Sequence, residues 1–187
     1  MLLKAVSRSD YRLYREAAGL AALAERYPQA WLIPEGGSNP QALTGLAQII
    51  SMLPAGTKTL ALACGTATTL AGLAAAAPVS VSVLGVAVLP RADFLRQHVQ
   101  NILAHTPVSP WRIETDFSMG GYARSTPELD DFLSQFSGLN PEVPLEPVYT
   151  GKLLYAVTQM LKANELDANG LVLLHTGGLP LGLATAT

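Results

Sequence analysis

The stretch Gly65-Thr66-Ala67-Thr68-Thr69 has the composition to hold an anion. It follows a short apolar run, Thr59 to Ala63, and precedes a helix of small residues from Leu70 to about Ala77. A strand, a tight turn and a helix start leave N–H groups without partners, and the helix dipole favours negative charge there. Gly65 lets the backbone come close to a guest, and three threonine hydroxyls add donors. Phosphate is the expected guest. The turn does not end in Gly-Lys-Ser/Thr, which argues against a nucleotide P-loop, and it lacks the Gly-x-Gly-x-x-Gly of a dinucleotide site. The competing reading is an ordinary strand-to-helix turn. Cys64, at the edge of the turn, reads better as a small buried residue than as a nucleophile. His98, His105 and His175 show no metal-ligand spacing, so no metal site is expected.

These residues need a frame. In 187 residues, 49% are hydrophobic and 14% charged, which suits a core-rich globular chain of one domain or a little more. A net charge of −2 gives no basic footprint for nucleic acid. No apolar run reaches the ~18 residues of a membrane span. Met1 to Ser7 has no signal-peptide pattern, and the single cysteine excludes an internal disulfide. A cytoplasmic protein is expected.

Periodicity and punctuation then predict the elements. A helix is expected over about Asp10 to Tyr27, ended by Pro28, then a short strand from Ala30 to Ile33 and a turn-rich loop, Pro34-Glu-Gly-Gly-Ser-Asn39. Ser38 or Asn39 caps a helix to about Met52. Ser80 to Leu89, apolar nearly throughout, suits a parallel strand buried on both faces. Helices follow over Arg91 to His105, over Thr126 to Phe136 with Pro127 in the first turn, and from the Pro147-Val-Tyr-Thr-Gly-Lys152 segment to near Ala163. Strands are expected at Arg112 to Asp116 and Leu171 to Leu174. Alternating strands and helices give an α/β fold of three layers, a mostly parallel sheet with helices on both faces. The polar loops at Glu35, Cys64, Thr150 and Thr176 sit at element ends and can converge on one crevice at the carboxyl ends of the strands.

Four stretches taken together resemble a known family: Pro34-Glu-Gly-Gly-Ser-Asn39, Cys64-Gly-Thr-Ala-Thr-Thr-Leu-Ala-Gly-Leu73, Pro147-Val-Tyr-Thr-Gly-Lys152 and His175-Thr-Gly-Gly-Leu179. In this order and spacing they are similar to the 1-aminocyclopropane-1-carboxylate deaminase / D-cysteine desulfhydrase family, pyridoxal-phosphate enzymes of the tryptophan-synthase-β type. The resemblance covers the later part of that fold. It implies residues 1–30 as a remnant of the small domain and 31–187 as an incomplete large, cofactor-binding domain. The family's earlier part carries the Schiff-base lysine and a Ser-Asn-His segment, and neither is found here; the lysines are Lys4, Lys58, Lys152 and Lys162. Met1 then reads as a start inside the small domain. The chain would be a truncated product, one half of a split enzyme, or a deliberate fragment.

The resemblance also assigns roles. It implies pyridoxal 5'-phosphate as cofactor, with Gly65, Thr66, Ala67, Thr68 and Thr69 at its phosphate. The family often has another glycine near Ala67 or Thr68, so the cup here should be stiffer. Tyr149 matches the tyrosine beside the cofactor ring, and Tyr122 a second active-site tyrosine; both are candidate acid–base groups, the alternative being core aromatics. Thr150 and Thr176 stand where the cyclopropane deaminases carry glutamate and leucine and the desulfhydrases carry threonine. A neutral hydroxyl at the ring nitrogen makes a weaker electron sink, enough to expel a thiolate and poorly suited to opening a cyclopropane. Thr150 can equally be a helix N-cap. Gly37 would allow close approach of backbone and ligand, while Glu35 is catalytic or a structural carboxylate. His175 reads as a satisfied histidine at a strand end and Lys152 as solvated or structural.

Three functions compete. One is a lyase of the D-cysteine desulfhydrase type, acting on a small amino acid and releasing pyruvate, ammonia and sulfide, with the cyclopropane deaminase as its variant. Another is a catalytically incomplete cofactor-binding piece that needs a missing N-terminal partner segment. The third, a nicotinamide-binding domain, lacks its glycine fingerprint. A homodimer is implied, without nucleic acid or membrane partners.

Overall fold

A computed structural model describes residues 4–104 and 108–177. His105, where a helix was expected to end, and Gly178 to Pro180 of the last loop lie outside the described residues. The chain forms two compact units, Met1–Asn39 and Pro40–Thr187.

In the first unit the expected long helix is two. Helix α1 spans Arg8–Leu13 and α2 spans Ala17–Arg26. Ser7 caps α1: its hydroxyl accepts the Asp10 N–H at 3.0 Å. A Cβ on Gly19 would lie 2.0 Å from the Leu13 carbonyl oxygen, so the chain folds back on itself at the break. A continuous helix would keep those residues apart. The expected strand at Ala30 to Ile33 is not formed: among the described residues the segment pairs with no strand, and Trp31 is 94% exposed. After it comes a 3₁₀ turn, Glu35–Gly37.

The second unit is the expected α/β architecture. Helix α3 (Pro40–Ile50) leads to β1 (Thr59–Cys64), α4 (Thr68–Ala76), β2 (Ser82–Ala87), α5 (Phe94–Leu103), β3 (Trp111–Glu114), α6 (Pro127–Leu139), α7 (Thr150–Lys162) and β4 (Leu171–Leu174). The four strands are parallel in the order β3-β2-β1-β4. Successive side chains of a strand point to opposite faces. Leu60, Leu62, Cys64, Val83 and Ala87 therefore pack with Leu70 and Leu73 of α4 and Leu95 and Val99 of α5. Ala61, Leu84 and Val86 face the other way, against Leu153, Ala156, Val157 and Met160 of α7. Each large apolar side chain fully buried here contributes about 1.5–3 kcal/mol. The two faces together account for the unbroken apolar reading of β1 and β2.

Close approaches fix the helices. A Cβ on Gly72 of α4 would come 2.5 Å from Leu46 of α3, and one on Gly85 of β2 would come 2.4 Å from Leu70 and 2.7 Å from the Cys64 sulfur. Helix α6 starts as expected, with Thr126 Oγ1 accepting the Leu129 N–H at 3.3 Å and Pro127 in its first turn. It meets α7 through Phe132 and Tyr155, rings edge-on at 5.4 Å, and through the Tyr155 hydroxyl bonded to Glu128. Among the described residues no helix is long and apolar enough to cross a membrane.

Candidate active site

The sheet order places the site. From β1 the chain moves outward through β2 and β3, and it returns on the other side of β1 as β4. The carboxyl ends of β1 and β4 are therefore a topological switch point, where open α/β sheets bind ligands. The Gly65 turn follows β1. In register, Leu62 pairs with Leu174, so Thr176 leaves the sheet at the same end. Both His175 and Thr176 are exposed there. The His175 ring is held as expected for a satisfied histidine: Nε2 lies 2.9 Å from the Pro144 carbonyl oxygen, and Nδ1 accepts the Gly177 N–H at 3.1 Å. Those partners put its proton on Nε2.

The turn itself is tightly built. Cys64 is 1% exposed, and burial pushes its thiol up to about 12, so it is an inert core residue. Thr66 and Thr68 hydroxyls bond each other at 3.1 Å. Ala67 precedes α4 with φ +60° and ψ 12°, the left-handed conformation. An alanine thus occupies backbone that glycine adopts without strain. No side chain caps α4 at this position. Its first N–H groups are left for an acceptor from outside the helix, and Ala67 and Thr68 are both buried.

Tyr149 closes one wall. A Cβ on Gly65 would come 3.3 Å from Tyr149 Cε1 and 3.5 Å from its hydroxyl. The Tyr122 ring stands edge-on to Tyr149, centroids 6.0 Å apart and planes at 73°. The structure therefore brings Gly65, Thr66, Ala67, Thr68, Thr69, Tyr122, Tyr149 and Thr150 to one end of the second unit. Gly37 belongs to the first unit, with φ +64°, and a Cβ there would meet no atom within 4 Å; Glu35 of the same turn pairs with Arg15 at 2.8 Å.

Two charged residues underpin this wall, and sequence reasoning undervalued both. Glu146 is 4% exposed; its carboxylate accepts the N–H groups of Val148 at 2.6 Å, Tyr149 at 2.8 Å and Thr150 at 2.6 Å. Thr150 is therefore not the cap of α7. It is the first helical residue, 3% exposed, with its hydroxyl 3.1 Å from Glu146 Oε1. Lys152 is fully buried rather than solvated, and its Nζ donates to the carbonyls of Ser118 at 2.8 Å and Gly121 at 2.6 Å. Burial lowers its ammonium from the ordinary lysine range, and the Glu146 charge acts the other way. Helical spacing was the available signal for Lys152: it shares a stripe with Ala156 and Met160, both buried. For Glu146 it was the carboxylate just ahead of a helix start.

No family model matches the sequence. A curated Pyrococcus abyssi protein named "Putative 1-aminocyclopropane-1-carboxylate deaminase" is 29% identical over 168 residues, covering 80% of this chain and 50% of the relative. The Pyrococcus horikoshii protein of the same name is 23% identical over 187 residues, covering 92% and 57%. A crystal structure described as an "ACC deaminase homologue" superposes with a TM-score of 0.70 at 24% identity, covering 95% of this chain and 57% of that one. The chain is related to the 1-aminocyclopropane-1-carboxylate deaminase family. It spans about half the length of the curated relatives it matches, and the fold it shares with the deaminase homologue is the α/β sheet described above.

Proposed function

We propose that this chain supplies the cofactor-phosphate cup and one aromatic wall of a pyridoxal-phosphate-dependent lyase, of the D-cysteine desulfhydrase type. One observation carries the reading: α4 starts without a side-chain cap, on a left-handed residue, beside a glycine lying directly under Tyr149. That arrangement fits a phosphate whose attached ring lies along the tyrosine. Gly65 to Thr69 would hold the phosphate with the free N–H groups of α4 and the threonine hydroxyls. Tyr149 and Tyr122 would orient the substrate and carry a proton at their phenol oxygens. Thr150, its hydroxyl bonded to Glu146, would give the ring-nitrogen end of the site a neutral residue in place of an acid. When bound, pyridoxal phosphate supplies the electron sink for charge left on the substrate's α-carbon.

The lysines favour a second reading beside the first, that the cofactor-linking amine comes from outside this chain's second unit. Lys152 is spent on two carbonyls. Lys58 precedes β1, at the opposite end of the strand from the Gly65 turn, and Lys162 ends α7, whose other end carries Tyr149. The names of the relatives point to cyclopropane cleavage, whereas Thr150 and Thr176 support elimination of sulfide from D-cysteine.

The test is a titration of pyridoxal phosphate followed by the phosphorus resonance of its phosphate. Binding should fall at least tenfold in Thr66→Asp. Equal affinity in the two proteins overturns the phosphate assignment. Completed with the preceding half of a relative, the enzyme should release pyruvate from D-cysteine faster than 2-oxobutanoate from the cyclopropane amino acid, and the reverse order sinks the subtype.

A further inference from the structure

We propose that Lys152 is the positioning residue of the tyrosine pair, a buried ammonium that ties the Ser118 to Tyr122 loop to the start of α7 and so sets Tyr122 against Tyr149. The loop has an unusual backbone. Met119 has φ +47° and Ala123 φ +52°, with Gly120 at +88° and Gly121 at +107° between them. Non-glycine residues in this region are strained, and they persist only where their surroundings hold them. The loop's own turn bonds are few: Gly121 N–H to the Ser118 carbonyl at 2.9 Å and Arg124 N–H to the Gly121 carbonyl at 3.1 Å. Lys152 Nζ donates to those same two carbonyls, at 2.8 and 2.6 Å.

The geometry makes Lys152 the link between two elements. Tyr149 is fixed from behind by Glu146, which holds its N–H and those of its neighbours. Tyr122 is itself more than half exposed, so packing holds it weakly. One turn of α7 separates the Tyr149 anchor from Lys152. The carboxylate thus holds one ring's backbone and the ammonium holds the loop of the other. Any solvated position would serve a merely solubilising lysine; full burial on two carbonyl oxygens serves a fixed distance between elements.

The role in substrate handling rests on the proposed lyase reading; the mechanical role does not. The experiment uses the whole chain without cofactor, labelled with fluorotyrosine, and compares wild type with Lys152→Met. Tyr122 and Tyr149 resonances are assigned through Tyr122→Phe and Tyr149→Phe. In Lys152→Met both carbonyls keep a backbone donor, so the variant should fold. The expected result is a shift of both resonances toward that of an exposed tyrosine, and amide exchange over residues 119–124 faster by tenfold or more. Lys152→Gln, which can reach one carbonyl, should fall between, and it is read in the same way if Lys152→Met does not fold. Unchanged resonances with exchange within twofold of wild type overturn the proposal. Failure of wild type to bind pyridoxal phosphate would end the lyase reading and leave this result standing.

Discussion

Glu146 Oε1 accepts the Thr150 N–H at 2.6 Å and lies 3.1 Å from the Thr150 hydroxyl, so a residue four positions upstream caps α7. The buried carboxylate meets the positive end of the helix, where its charge is favoured. The same contact commits one of the two hydroxyls on which the subtype reading depends.

Removing that carboxylate should therefore be costly. Glu146→Ala leaves buried N–H groups without an acceptor and should lower stability by about 3 kcal/mol. Glu146→Gln keeps one acceptor and should lose about half as much. Glu142→Ala, at an exposed position between α6 and α7, should stay within about 0.5 kcal/mol. Urea midpoints with an unchanged slope would read all three.

Ala67 should respond to glycine unlike the alanines beyond it. At φ +60° a glycine relieves strain, so Ala67→Gly should be neutral or stabilising by up to about 1 kcal/mol. Ala71→Gly, inside α4, should cost about 1 kcal/mol. Equal losses at the two positions would show that the turn is unstrained. Thermal melts of the two variants make the comparison.

Cys64 predicts a loss of stability in alkali. Its thiol is held protonated to about 12 in the folded chain, against 9.0 as the reference. Between those values the unfolded chain has released the proton and the folded chain has not, so stability falls as pH rises through that window. Tyr155, pushed up to about 12 by burial and its bond to Glu128, adds to the slope from 10.0 upward. Cys64→Ala should flatten the denaturation curve between pH 9 and 10, where the phenol still contributes little.

The glycines under the wall should separate binding from folding. Gly65→Ala places a Cβ 3.3 Å from a tyrosine ring carbon, a contact the ring can yield to. The variant should fold within about 1 kcal/mol of wild type and bind pyridoxal phosphate several-fold more weakly. Gly151→Ala places its Cβ 2.7 Å from the Glu146 carbonyl oxygen, which is backbone and cannot swing away. It should cost about 2 kcal/mol of stability. Denaturation paired with cofactor titration distinguishes the two effects.

The sheet was legible because its signals are local. Thr59 to Ala63 and Leu171 to Leu174 read as strands from apolar runs between turns, and β1 extends only one residue beyond the first of these. Thr126-Pro127 announced α6 by its own side chains. The failures came where distant contacts decide. Nothing in Asp10 to Tyr27 forbids one helix, yet the chain folds back between Leu13 and Gly19. Ala30 to Ile33 has strand composition and, among the described residues, no partner strand. At the site, Gly65 to Thr69 stood out as a turn, whereas Lys152 stayed undecided between solvated and structural because its acceptors lie more than thirty residues upstream, at Ser118 and Gly121.

The pairing of β4 with β1 imposes an order on assembly. As the chain leaves the ribosome, β1, β2 and β3 can join in sequence while α4 and α5 cover one side. The other side of the growing sheet, with Ala61, Leu84 and Val86, stays bare until α7 emerges, and the free edge of β1 waits for β4. An unpaired parallel edge beside an apolar face is a sticky intermediate. The segment that brings Tyr149 beside Gly65 is thus also the one that covers the bare face, while the edge stays open until β4 follows, so a ribosome pausing before residue 150 would leave a species for chaperones to hold.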